Sequence, residues 1–160
     1  MEKCMHCGET LAQVSRIDLP YRSLPGVVLV GIEARSCLVC SEVEYAIPRI
    51  EALNESISRL LVGKPTRLAG TEVRFLRKYL GWSGRDFASR VGVTPETVSR
   101  WENGVLAIGE TPDKLLRMFV LHEKPVADYS LDQFDVLAKA EGDPIHLRLS
   151  AEKDWTPVAA

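Results

Sequence analysis

Apolar residues recur along this chain with two different periods, and the change from one to the other divides it. From Thr10 to Ile47 the period is close to two. Thr10–Ile17 alternates loosely, Val27–Ala34 (VVLVGIEA) is rich in β-branched residues, and Val43–Ile47 is long enough for one more short strand. Two prolines within Leu19–Pro25 predict a loop between the first two strands. From Pro48 the spacing becomes three and four. Ile50, Leu53, Ile57 and Leu60 predict a helix over 48–62 whose narrow apolar stripe packs on a neighbouring domain or meets a partner chain. Gly63-Lys64-Pro65 then breaks the pattern and marks a domain boundary.

Beyond that boundary the pattern is a helical bundle. Thr71 is placed to cap a helix in which Val73, Leu76 and Leu80 face inward and Gly81 ends the run. Thr111-Pro112 starts another, with Leu115, Leu116, Phe119 and Val120 apolar. In the tail, Ser130 is placed to cap a helix to Ala140, with Leu131, Phe134 and Leu137 or Ala138 on its apolar side. Gly142-Asp143-Pro144 turns the chain, and Ile145–Leu149 alternates as an edge strand does. The predicted class is α+β. A small β-rich module with its linker helix occupies 1–62, an all-α bundle occupies 63–122, and an extension to which the sequence assigns no role occupies 123–160.

The most informative stretch is Ser83–Gly104, SGRDFASRVGVTPETVSRWENG. Ser83 is an N-cap, Gly92 supplies a tight turn, Thr94-Pro95 is a cap followed by proline at the first helical position, and Gly104 closes the second helix. Val98 and Trp101 face back to the first helix, where Ala88 leaves room for a close crossing. Glu96, Arg100 and Asn103, spaced i, i+4 and i+7, form a polar face on the other side. That is the layout of a helix-turn-helix with its recognition face turned to the DNA major groove.

Charge changes this picture little. The net charge is −2, but residues 63–122 hold ten Lys and Arg against six Asp and Glu, whereas 1–62 hold six against eight and 123–160 four against eight. The positive excess coincides with the bundle, where a phosphate-binding surface needs it. No basic and then apolar leader opens the sequence, and no apolar run approaches a membrane span; the expected setting is cytoplasmic, with no membrane partner.

All four cysteines lie in two CxxC turns, Cys4-Met-His-Cys7 and Cys37-Leu-Val-Cys40. In a reducing compartment such pairs are metal ligands rather than disulfides. Together they predict a tetrahedral sulfur site for one structural Zn²⁺ per chain, which stabilises a module too small to bury much core. Iron shares this ligand set, and the sequence does not separate the two metals. His6 reads as an exposed loop residue, because four sulfurs complete the shell. They also leave no open coordination position, and no catalytic triad, carboxylate pair or phosphate-binding glycine loop can be located, so an enzymatic role is not expected.

A CxxCG knuckle, a second CxxC and then a repressor-like helix-turn-helix resemble the MqsA/YgiT-type antitoxins, which carry a zinc finger and a Cro/repressor (XRE, lambda-repressor-like) domain. The residues that carry the resemblance are CMHCG at Cys4–Gly8, CLVC at Cys37–Cys40, VRFLRKYLGWSGRDFASRVGV at Val73–Val93 and VSRWENG at Val98–Gly104. They span about three quarters of the chain, residues 1–122. The resemblance implies Cys4, Cys7, Cys37 and Cys40 as zinc ligands, a zinc module that neutralises a cognate ribonuclease toxin, and a homodimer that represses its own operon at a palindromic operator on double-stranded DNA. The alternative is a stand-alone XRE-type regulator with a structural zinc finger and no toxin. Ser41 stands where the family favours glycine, Gly84 where a phosphate-binding glutamine is common, and Glu96 where asparagine is the best-known reader.

Arg100 is expected to be the main base reader, bidentate to guanine, with Glu96, Thr97 and Ser99 secondary. Ser83, Arg85 and Asn103 are expected to contact phosphate and set register.

Overall fold

Strand β1 (Leu11–Pro20) pairs antiparallel with β2 (Val27–Cys37), and the register shifts between Leu11 and Gln13 and again between Ile17 and Leu19. The computed structural model describes residues 3–123 and 142–159. One edge of β2 belongs to β1. The other is shared, with β3 (Val43–Tyr45) antiparallel against Ala34–Ser36 and a strand from the far end of the chain parallel against Val27–Val30. Gly31, at φ +77°, lies between the two partners. The buried side of β2 changes there: Val27 and Leu29 are buried before it, Ile32 and Ala34 after it. A residue with a left-handed backbone at this point resets the alternation by one position.

Helix α1 (Ile50–Val62) buries Leu53, Ile57 and Leu61 at spacings of four. The expected stripe is therefore displaced at its ends, since Ile50 is exposed and Leu61 rather than Leu60 is buried. Four further helices follow: α2 (Gly70–Tyr79), α3 (Gly84–Val91), α4 (Pro95–Glu102) and α5 (Glu110–Glu123). The strand against Val27–Val30 is β4 (Leu147–Ser150), and β5 (Thr156–Pro157) pairs antiparallel with it, so the strand order is β1-β2-β4-β5 with β3 on β2. The expected edge strand is thus flanked on both sides. Trp155, between β4 and β5, is buried with Leu149. The helix expected over Ser130–Ala140 lies outside the described residues.

The chain divides into two units. One comprises Met1–Tyr21, Gly26–Leu53 and His146–Ala160, the other Arg22–Pro25 and Asn54–Ile145. The first is the sheet with its cysteine cluster and the second is helical, which makes the protein α+β.

The helical unit is held by an apolar core and by buried ion pairs. Val73, Leu76, Phe87, Val98, Trp101, Ile108, Leu116 and Val120 form its interior, and Phe87 meets Trp101 edge-on at 6.3 Å between ring centroids. The cap of α2 is Ala69 and not Thr71: the Ala69 N–H donates to the Glu72 carboxylate at 2.7 Å. Glu72, fully buried, also accepts from Lys64 Nζ at 2.9 Å and from the Ile145 N–H at 2.7 Å. A side chain that reaches back in this way satisfies the N–H of the cap residue, the half of a capping box that needs no side-chain oxygen at the cap. Gly70 begins the helix because a Cβ there would lie 2.2 Å from the Trp101 carbonyl oxygen at the end of α4.

Arg117 is buried in the middle of α5. It donates to Asp113 at 2.8 Å and to the carbonyls of Val62, Lys64 and Thr66 at 3.0, 2.6 and 2.7 Å, so it satisfies the C-terminal end of α1. Asp113 in turn accepts from the Leu68 N–H at 2.8 Å. Among the described residues no helix is long and apolar enough to cross a membrane.

Candidate metal centre and nucleic-acid interface

The two CxxC turns repeat one backbone pattern. In the first, Cys4 N–H donates to the Glu9 carbonyl at 2.7 Å and Gly8 N–H to the Cys4 carbonyl at 2.9 Å. In the second, Cys37 N–H donates to the Glu42 carbonyl at 2.9 Å and Ser41 N–H to the Cys37 carbonyl at 3.0 Å. The fifth residue of each turn is left-handed, Gly8 at φ +78° and Ser41 at φ +61°. The departure noted at Ser41 therefore falls on a position where glycine is strain-free and serine is not. Met5 N–H donates to the Glu44 carboxylate at 2.6 Å and so ties the first turn to β3.

These turns bring all four Sγ atoms within 4.8 Å of one another. Cys7 and Cys37 lie 3.5 Å apart, and Cys4 and Cys40 3.6 Å. A sulfur tetrahedron around a metal with bonds of about 2.3 Å has edges of roughly 3.8 Å, whereas a disulfide would bring two sulfurs to about 2.05 Å. The observed separations match the tetrahedron. The cysteines are free thiols, and the first of each pair is buried.

Their electrostatics also calls for a cation. The N–H groups of Cys40 and Val39 point at Cys37 and hold its thiol down to about 7. At Cys40 the Glu42 N–H acts in the same sense, but burial and the thiols of Cys7, Cys37 and Cys4 outweigh it and push the group up to about 12. Cys7 is likewise raised, against the pull of the Glu9 N–H, by partial loss of hydration and by Cys37. Four adjacent thiolates need a shared positive charge. The site can hold a metal ion through sulfur alone. His6 is exposed and stands outside this group.

In the helical unit, α3, the turn and α4 form as their caps dictate. The Ser83 hydroxyl accepts from the Asp86 N–H at 3.1 Å, and Asp86 accepts from the Ser83 N–H at 2.8 Å. Gly92, at φ +71°, ends α3. Thr94 Oγ1 accepts from the Thr97 N–H at 3.3 Å, and Pro95 occupies the first turn of α4. Val98 and Trp101 are buried, which leaves Glu96, Ser99 and Arg100 on the solvent face.

The expected contact residues differ in what already engages them. Thr97 is half-buried, and its hydroxyl lies 3.1 Å from that of Thr94. Asn103 accepts from Arg74 Nη2 at 2.6 Å and donates to Ser99 Oγ at 3.3 Å, so two expected contact residues are bonded to each other. Ser83 acts as a cap, and Arg85 is exposed. The Glu96 carboxyl is held below its usual range by its own N–H, by the Thr94 hydroxyl and by the charge of Arg85, so it stays ionised near neutrality. The exposed Arg90 guanidinium stacks over the Trp82 ring at 4.2 Å.

Three residues that hold this interface in place are missed by the sequence reading. Glu102 is buried at the end of α4 and paired with Arg77 and Arg74 from α2. The available signal is a carboxylate directly after the inward-facing Trp101, in a stripe that otherwise reads as solvated.

Residues 73–111, from α2 into the start of α5, match the helix-turn-helix family model. No curated protein matches the chain. The match covers only residues 73–111, a helix-turn-helix of the XRE type, which supports a DNA-binding regulator.

Proposed function

We propose that this protein is the antitoxin of a type II toxin–antitoxin system, which represses its own operon as a homodimer and neutralises a cognate ribonuclease through a zinc-bearing module. The observation that carries the DNA half is the XRE-type helix-turn-helix, whose α4 turns Arg100 and Glu96 to solvent while Val98 and Trp101 anchor it. Arg100 reads guanine, Glu96 accepts from a cytosine or adenine amino group, and Thr97 and Ser99 are secondary. Ser83, Arg85 and Asn103 set register on the phosphates. Two copies read half-sites about one helical turn apart.

The four-sulfur site suits zinc, since all donors are thiolates and no position is left open, and iron shares the same donor set. Cys4, Cys7, Cys37 and Cys40 would hold it, and its chemistry there is structural. It would neutralise the thiolates and fix the two turns to one another. The toxin-binding reading is supported by the tips of those turns. Met5, Leu38 and Val39 are 93%, 70% and 69% exposed, with the carboxylates of Glu9 and Glu42 beside them in sequence. Apolar tips rimmed by acid suit a basic protein such as a ribonuclease.

The test is to express the full chain with the product of the adjacent small reading frame. Co-purification, together with growth arrest when that product is expressed alone, supports the antitoxin reading. A product that neither binds nor arrests growth removes it and leaves a stand-alone regulator.

A further inference from the structure

The four thiols of the metal centre differ in their access to solvent. Cys4 and Cys37 are buried, Cys40 is intermediate, and Cys7 is exposed. Cys7 makes a sulfur contact across to the other turn, where Cys37 lies at 3.5 Å; Cys4 and Cys40 make the matching contact at 3.6 Å. The two turns are thus joined by two cross-turn sulfur pairs, each at a distance that a small movement closes to a bond.

We propose that Cys7 is the entry point for peroxide at this site, and that its oxidation forms a Cys7–Cys37 disulfide and ejects the metal. This rests on the reading of the four cysteines as a zinc site. The Cys7 thiolate attacks one oxygen of hydrogen peroxide. The O–O bond breaks, hydroxide leaves, and Cys7 becomes a sulfenic acid. The Cys37 thiolate then attacks Cys7 sulfur, the S–O bond breaks, a second hydroxide leaves, and the disulfide forms. Two thiolates lose one electron each, peroxide takes both, and the two hydroxides are protonated to water. The zinc ion retains only Cys4 and Cys40 as donors and dissociates. Exposure selects Cys7 over Cys4, because an oxidant must reach the sulfur it oxidises. Proximity selects Cys37 as the resolving thiol. The new bond links the same two turns that the metal linked, so a thiol reductant and fresh zinc restore the original site.

The experiment uses the full-length chain, with zinc content measured by mass spectrometry before any oxidant is added. Hydrogen peroxide is then supplied at one equivalent, released zinc is followed with a chromogenic chelator, and disulfides are mapped after alkylation. The expected first product is Cys7–Cys37, formed in step with zinc release and reversed by dithiothreitol and zinc. Cys7→His keeps a four-donor site of a kind zinc accepts, and should slow release by about tenfold or more. His6→Ala, a change at an exposed neighbour outside the sulfur set, should leave the rate near that of the parent. A first disulfide within either CxxC turn, or release from Cys7→His at the parent rate, overturns the proposal. A chain purified without bound zinc fails the zinc reading instead, and is recognised before peroxide is added.

Discussion

Arg77 and Glu102 form a two-pronged ion pair across the helix-turn-helix: Arg77 Nε donates to one carboxylate oxygen at 2.5 Å and Nη2 to the other at 3.0 Å. The third arm of the same guanidinium, Nη1, donates to the Trp82 carbonyl at 2.6 Å. One side chain of α2 therefore fixes the entry to α3 and the last residue of α4. Arg74 extends the link by donating to Glu102 at 3.2 Å and to Asn103 at 2.6 Å. The recognition helix is positioned by a charge network at its end as well as by Val98 and Trp101 on its inner face.

Removing Arg77 leaves the buried Glu102 carboxylate with only the more exposed Arg74 as an ion-pair partner. Arg77→Met is expected to destabilise the helical unit by about 3 kcal/mol, read as a lower denaturant midpoint of the far-ultraviolet helical signal. Arg77→Lys keeps the charge without the planar fork and should recover only part of the loss.

Arg117 offers a sterner case, since it closes three carbonyls and Asp113 at once. Arg117→Leu is expected to cost at least about 3 kcal/mol, and the double variant Arg117→Leu/Asp113→Asn less than the single changes summed, because they share a partner. A double-mutant cycle by urea denaturation measures that coupling, and strict additivity would contradict the pairing.

The equivalent turn residues Gly8 and Ser41 give opposite predictions from one geometry. Ser41→Gly relieves a left-handed serine and should stabilise the sheet unit by roughly 1 kcal/mol, while Gly8→Ala should destabilise it by a similar amount. Thermal unfolding of the two metal-loaded variants tests both signs.

Acid should weaken α3 through its cap. The Ser83 hydroxyl and N–H hold the Asp86 carboxyl below the usual carboxylate range. A carboxyl with a depressed folded pKa adds stability that is complete above its unfolded value of about 3.9 and is lost as pH falls through the folded value. Stability measured downward from pH 5 should therefore fall less steeply in Asp86→Asn than in the parent.

Much of both candidate sites was legible because it is local. Ser83, Gly92, Thr94-Pro95 and the burial of Val98 and Trp101 follow from capping chemistry and helical spacing within twenty-two residues, and the four cysteines announce their cluster by spacing alone. What escaped is non-local. The four-residue β4 finds its parallel partner at Val27–Val30, about 120 positions earlier, and nothing in its own alternation says so. Gly70 is required by a carbonyl thirty-one residues away. Arg117 sits between the buried Leu116 and Val120, and apart from Asp113 its partners are main-chain carbonyls that no side-chain pattern records.

If the solvent face of α4 reads DNA, Arg100 is the residue whose loss should show it most directly. Binding of the full-length protein to a fragment of its own promoter should be measured at fixed salt, for the parent, Arg100→Ala and Arg85→Ala, on the native operator and on single-base variants. Arg100→Ala should lose about tenfold or more in affinity and lose discrimination at one base pair in each half-site, while Arg85→Ala weakens binding evenly across the variants. Unchanged affinity and unchanged base preference in Arg100→Ala would mean that α4 does not read the operator through Arg100.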